Sequence, residues 1–206
     1  MTSSWDGYQL PGGQILQRDP TFGFYQVSPR PSDLEIADFY ANVYRNPCIP
    51  HDPLRCAELV SELHSEPGRV LDVGCGEGHY LASFVERGWS AVGVEPNAKH
   101  AAVARGKGID VEEEILTEGL ATTLGTFDAV ILAHVLEHLV HPEEMLRMIH
   151  GLLRPGGVFF CEVPNDFNPL QSIAVRHCEL DPWWIALPDH LNYFSLTSLS
   201  AFVSVH

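Results

Sequence analysis

His134, Glu137 and His138 stand in "AHVLEHLVHPEE" as H-x-x-E-H, a spacing used by a class of zinc peptidases. That chemistry needs both histidines on one long helix, a further ligand from elsewhere, and a carboxylate to activate water. Here the apolar run "FDAVIL" ends two residues before His134 and reads as a strand, so the motif falls at a strand end. The peptidase reading fails there. His134 and His138 remain candidate general bases, because a neutral imidazole is available near neutral pH.

A second chemical constellation lies upstream. "VLDVGCGEGHYL" sets Gly74, Gly76 and Gly78, with Cys75 among them, between a strand and a helix. Glycine there lets backbone approach a ligand, and a helix start offers free N–H groups. The spacing G-x-G-x-G is one residue tighter than the dinucleotide fingerprint. Asp72, two residues before the loop, would repel a pyrophosphate and suits a ligand carrying an ammonium group. Glu95, followed by Pro96, ends the next strand roughly twenty residues on, where an acid can accept both hydroxyls of a ribose. Tight spacing and Asp72 together disfavour a nicotinamide-dependent oxidoreductase.

The elements that must position these residues alternate. "RVLDV", "SAVGVE", "IDVEEE", "FDAVIL" and "GVFFCEV" read as strands. "GHYLASFVERG", "PNAKHAAVARGKG" and "PEEMLRMIHGLLRPGG" read as helices between them. Such alternation predicts a parallel sheet covered on both faces, with the ligand at the carboxyl ends of the strands. Residues 1–31, rich in Gly and Pro, read as an irregular lead-in. Two amphipathic helices follow, "PSDLEIADFYANVYRN" and "DPLRCAELVSELHSE". The expected organisation is a lead-in with cap helices over residues 1–66 and a ligand-binding domain over 67–206.

"VLDVGCGEGHYL", "AVGVEPN" and the stretch from "FDAVIL" to "FFCEVPN" resemble the signature segments of class I S-adenosylmethionine-dependent methyltransferases. The likeness covers about residues 32–200 and leans toward the ubiquinone-type O-methyltransferase branch. It implies a doubly wound, mostly parallel, Rossmann-like α/β sheet. The glycine loop would embrace the methionine moiety of S-adenosylmethionine and Glu95 the ribose. Glu114 and Ile115 would meet adenine, and Pro96, Ala133 and His134 would complete the cofactor's surroundings. Tyr40, in "FYANVY", would fold over it. The acceptor would be a small molecule, most readily a hydroxyl oxygen. The alternative is a catalytically impaired chain of this fold that binds the cofactor or a partner subunit.

Some relatives carry E-x-x-E-H where this chain has H-x-x-E-H, and hold a divalent cation there. Glu137, His138 and the downstream His190 in "PDHLNYF" are the residues that would hold one here. The other reading is a loop fixed by hydrogen bonds, and the expectation adopted is no bound metal. Relatives with this kind of N-terminal segment also carry a cysteine zinc knuckle. "LPGGQILQRDPTFG" has no cysteine, so no structural zinc is expected. The chain stops at His206, within what the resemblance makes the helix after the fifth strand. The sheet is therefore expected to lack its sixth and seventh strands, as a fragment would, and to self-associate through the open edge.

Composition narrows the partners. Twelve Lys and Arg against 27 Asp and Glu give a formal net charge of −15, which repels phosphate backbones and argues against nucleic acid. "MTSSWDGYQL" lacks the basic start and apolar run of a signal peptide and no apolar run reaches the length of a membrane span, so neither export nor a membrane partner is expected. Five cysteines without a C-x-x-C pair read as reduced thiols in a cytoplasmic protein.

Overall fold

The computed structural model describes residues 5–32, 34–36 and 52–206. Tyr40 and Tyr44, expected to sit on a cap helix, lie outside the described residues. The described chain falls into two compact units, one drawn from 1–39, 136–143 and 163–206, the other from 40–135 and 144–162. We call them the antiparallel and the parallel unit.

In the parallel unit, α1 (Pro53–Leu63) precedes β3 (Arg69–Val73), which leads through the glycine loop into α2 (His79–Val85). There follow β4 (Ser90–Val94), α3 (Ala98–Gly106), β5 (Asp110–Glu112), α4 (Glu118–Leu124), β6 (Phe127–Ala133), α5 (Pro142–Leu152) and β7 (Leu153–Glu162). The strands are all parallel, in the order β5-β4-β3-β6-β7. Strand order therefore reverses at β3 and β6, the switch point at which open sheets of this kind bind ligands. All seven residues of β6 are buried, as a central strand covered on both faces requires. Helix starts follow their capping residues: Asp52 accepts from Arg55 N–H, and Asn97 from Lys99 and His100 N–H.

One carboxylate pins the far end of this sheet. Asp128 accepts from Arg69 N–H at 2.7 Å and from the Arg154 guanidinium at 2.7 and 2.8 Å. Gly68 is needed beside it, since a Cβ there would sit 2.4 Å from Asp128 Oδ2.

The antiparallel unit is built on β1 (Ile15–Arg18), β2 (Tyr25–Ser28) and β8 (Asn192–Tyr193), in the order β1-β2-β8. It carries α6 (Pro169–Cys178) and α7 (Leu196–Val203), each opened by a reciprocal cap, Asn168 with Gln171 and Ser195 with Ser198. Leu16 and Val27 face each other across β1 and β2, fully buried, against Trp184 and Tyr193.

The single mostly parallel sheet lacking its sixth and seventh strands is thus corrected. The described residues hold eight strands in two sheets: five parallel, and three more in a separate antiparallel sheet. Residues 15–28, read as irregular, supply two of those strands. They are only four residues each and are completed by a partner from the other end of the chain, so local pattern did not reveal them. A helix between β5 and β6 was also unforeseen. Among the described residues no helix is long and apolar enough to cross a membrane.

Asp128→Ala should lower stability by about 1 kcal/mol in urea denaturation, because it orphans the half-buried Arg69 N–H and removes the partner of the Arg154 guanidinium. Burial tends to raise this carboxyl's pKa, but the bonds from Arg69 and Arg154 outweigh it, and the folded value lies below the ordinary one. Its stabilisation is therefore present above about pH 4 and lost as pH falls through the folded value. The wild type should lose stability on acidification more steeply than the variant.

Candidate functional site

The glycine loop closes on β4 through backbone and carboxylate together. Gly74 and Cys75 N–H both donate to Val94 C=O, at 2.8 and 3.1 Å. Glu95 Oε2 accepts from Gly76 N–H at 2.9 Å and Oε1 from Asn97 N–H at 2.7 Å. Gly74, Gly76 and Gly78 all have positive φ, of 78°, 52° and 74°. Gly74 and Gly78 are also sterically required: a Cβ would meet Val135 at 2.6 Å or Ile109 at 2.5 Å. Gly76 differs, because a Cβ there meets nothing within 4 Å. The loop's middle faces open space while its ends are packed.

Asp72 is 2% exposed, and its Oδ2 has no hydrogen-bond partner. Burial first, then the charge of Glu95, pushes its carboxyl up to about 8. An orphaned carboxyl beside a glycine loop is an unfilled acceptor. Cys75 is buried, its Sγ packed where a side chain on Gly93 would be, and burial holds its thiol well above the ordinary range.

At the end of β6, His134 adopts φ 55°, uncommon for a residue with a side chain and a recurrent feature of functional sites. Its Nε2 lies 3.1 Å from Glu162 Oε1, and Tyr80 Oη donates to Glu162 Oε2 at 3.2 Å. Glu162 thus joins a histidine from β6 to a tyrosine from α2. Neither Glu162 nor Tyr80 was foreseen. The available signal was register: Glu162 ends the strand beside β6, paired with Ala133, so a polar side chain there neighbours His134.

Of the other expected residues, Ala133 is buried and Pro96 exposed. Glu114 and Ile115 are exposed, Ile115 by 65%, which is unusual for so apolar a side chain. These all belong to the parallel unit.

In the antiparallel unit the chain turns through residues 136–140. Arg30 donates to Leu139 and Val140 C=O and to Asn192 Oδ1, and Asn192 Nδ2 donates to Leu136 and Leu139 C=O. Leu191 N–H donates to Glu137 C=O at 2.8 Å. This clamp brings Glu137, His138 and His190 together, with candidate ligand atoms all within 4.8 Å of one another. Glu137 is 1% exposed. His138 Nδ1 lies 2.9 Å from Asp189 C=O and 3.2 Å from its carboxylate, so Nε2 points the other way, 3.7 Å from Glu137 Oε1. Burial alone would lower the His138 pKa, but Asp189 and the charge of Glu137 raise it overall.

Residues 50–203 match the family model described as a methyltransferase domain. The chain is 32% identical over 159 residues to a ubiquinone biosynthesis O-methyltransferase of Pseudomonas aeruginosa, covering 70% of this chain and 68% of that protein. A similarly named protein of Rhizobium johnstonii is 32% identical over 127 residues, and there the match spans only 51% of the relative. Among solved structures, a SAM-dependent methyltransferase from Archaeoglobus fulgidus superposes with TM-score 0.59 at 20% identity, over 84% of this chain and 73% of that one. The N-terminal domain of EvdMO1, solved with SAH bound, gives 0.53 at 19% identity, over 76% and 71%. At such identities the two structures speak for the fold.

Proposed function

The chain belongs to the methyltransferase domain family, and on that premise we propose that it binds S-adenosylmethionine and methylates a hydroxyl oxygen of a small molecule. The observation that carries the proposal is the closed glycine loop with Asp72 unpartnered beneath it and Glu95 held beside it. The names of the ubiquinone-pathway relatives favour oxygen as the acceptor atom.

The residues present fit that cofactor. Asp72 Oδ2 lacks a donor that the methionine ammonium would provide, directly or through water. Each carboxylate oxygen can accept more than one hydrogen bond. Glu95, with one backbone N–H on each oxygen, is thus fixed in place while keeping capacity for two ribose hydroxyls. Exposed Ile115 offers an apolar surface to adenine.

Bound S-adenosylmethionine supplies an electrophilic methyl carbon on a sulfonium, whose departure needs no proton. What remains for the protein is alignment, exclusion of water and care of the acceptor's proton. His134 is the candidate to take that proton, with Glu162 orienting the ring and stabilising the imidazolium that results. Tyr80 in turn holds Glu162. His138, tied to Asp189, is better placed as a ligand or a structural hydrogen-bonding group than as a mobile base.

A divalent cation is a second reading, and its observation is the convergence of Glu137, His138 and His190. The mixed carboxylate–imidazole set fits such an ion, and Asp189 behind His138 is the kind of outer partner that fixes a ligating imidazole. The ion would act as a Lewis acid, lowering the pKa of a hydroxyl bound to it.

Calorimetry with S-adenosylhomocysteine should show binding that Glu95→Ala weakens at least about tenfold, the loss of two hydroxyl contacts. Heat absent from the wild type would end the cofactor reading. Affinity should also rise by roughly tenfold from about pH 6.5 to about pH 8.5, as Asp72 ionises to meet the ammonium. Asp72→Asn should flatten that rise; an unchanged slope would remove Asp72 from the site. For the cation, equilibrium dialysis against Mn²⁺ should give one ion per chain, lost in His190→Ala. Equal uptake by both proteins would reject the trio.

A further inference from the structure

The antiparallel unit contains a cavity of about 260 Å³ that no step above uses. Rings form much of its wall, those of Trp5, Tyr25, Phe167 and Tyr193. Phe167 sits at the centre of the group, its ring centroid 4.7 Å from Tyr25, 5.2 Å from Trp5 and 5.8 Å from Tyr193. It reaches that place with φ 55°, a conformation unfavourable for a bulky residue and one that packing must sustain. Strain of this kind clusters at ligand clamps.

The polar lining is graded. Asp166, 2% exposed, lines the cavity, and its Oδ2 has no hydrogen-bond partner. Leaving such a buried acceptor unmade is unfavourable, and a donor from a ligand would recover the loss. Burial raises the Asp166 carboxyl to about 7, partly offset by a bond with Gln171 and reinforced by the charge of Glu137. At the other extreme, Arg18 and Arg176 line the cavity and are exposed. Gly23 makes room for Arg18: a Cβ there would lie 2.7 Å from its guanidinium. Two arginines on one cavity stand out in a chain with 12 basic and 27 acidic residues.

We propose that this cavity binds a single-ring aromatic molecule carrying an amine at its buried end and a carboxylate at its exposed end. Asp166 receives the amine, the ring stacks on the aromatic face, and Arg18, with Arg176 on the same cavity, takes the carboxylate in the geometry guanidinium groups favour. The volume lies below the roughly 300–1,000 Å³ usual for drug-sized ligands, which limits the occupant to one ring with short substituents.

Because Trp5 lines the wall, tryptophan fluorescence of the full chain reads occupancy directly. Para-aminomethylbenzoate should give saturable quenching. Benzylamine lacks the carboxylate, para-toluate lacks the amine, and trans-aminomethylcyclohexanecarboxylate lacks the ring face; each should bind at least about tenfold more weakly. Arg18→Gln should bring para-aminomethylbenzoate down toward benzylamine, and Asp166→Asn should bring it toward para-toluate. If Asp166→Asn fails to fold by near-ultraviolet circular dichroism, the exposed Arg18→Gln decides alone. Absence of saturation, equal response to all four probes, or an unaffected Arg18→Gln would overturn the proposal. S-adenosylhomocysteine calorimetry on the same samples separates its failure from failure of the methyl-transfer reading.

Discussion

The parallel unit depends on one carboxylate spanning two loops. Glu95 takes Gly76 N–H on one oxygen and Asn97 N–H on the other, so a single side chain joins the turn after β3 to the turn after β4. Backbone bonds from Gly74 and Cys75 to Val94 C=O hold the start of the first turn, and the carboxylate carries the hold on to Gly76 and Asn97. Bonds from backbone N–H to a carboxylate are about twice as strong as neutral ones, and here two share one acceptor group. The same bonds set the Gly76 peptide with its Cα toward open space. Loop closure and ligand access are therefore one arrangement.

The antiparallel unit solves an analogous problem with a cation and an amide. Arg30 and Asn192 gather the carbonyl groups of Leu136, Leu139 and Val140 around a turn of 3₁₀ helix too short to satisfy its own carbonyl ends. Once those carbonyl groups are satisfied, Glu137 and His138 hold fixed positions, and Leu191 N–H on Glu137 C=O brings the segment containing His190 alongside. Ligand convergence in this unit follows from backbone satisfaction.

How much of this the sequence disclosed follows from contact range. β3, β4 and β6 were legible because burial on both faces demands unbroken apolar runs, and Asp72, Gly74, Gly76, Gly78 and Glu95 because they lie on consecutive strand ends. Glu137, His138 and His190 were legible as a set from the pattern of relatives, and they do converge. The antiparallel sheet was not legible. β8 is two residues long and pairs with Tyr25 and Gln26 across most of the chain, so its hydrophobic pattern means little until the partner is known. Arg30, read as part of a Pro-rich lead-in, gave no hint that its guanidinium closes a turn more than a hundred residues away. Glu162 was missed for a related reason. An acid ending an apolar strand looks like a solvent cap unless the register with β6 places it against His134.

Asp72 and Asp166, each with one buried oxygen lacking a partner, show what the protein does with buried charge. Asp72 and Asp166 are both raised, to about 8 and about 7, with burial as the first cause in each. A carboxyl raised on folding adds stability that is complete below its unfolded pKa of about 4 and lost as pH rises through the folded value. At neutral pH and above, each group therefore weakens its own unit when no ligand is bound. A ligand bearing a donor or a positive charge reverses the sign, since it favours the ionised form that burial opposes. The unfavourable burial is then the source of selectivity. In a chain with a net charge of −15, exposed carboxylates attract cations without discrimination, and only a dry, unpartnered one distinguishes a ligand by the shape around its charge.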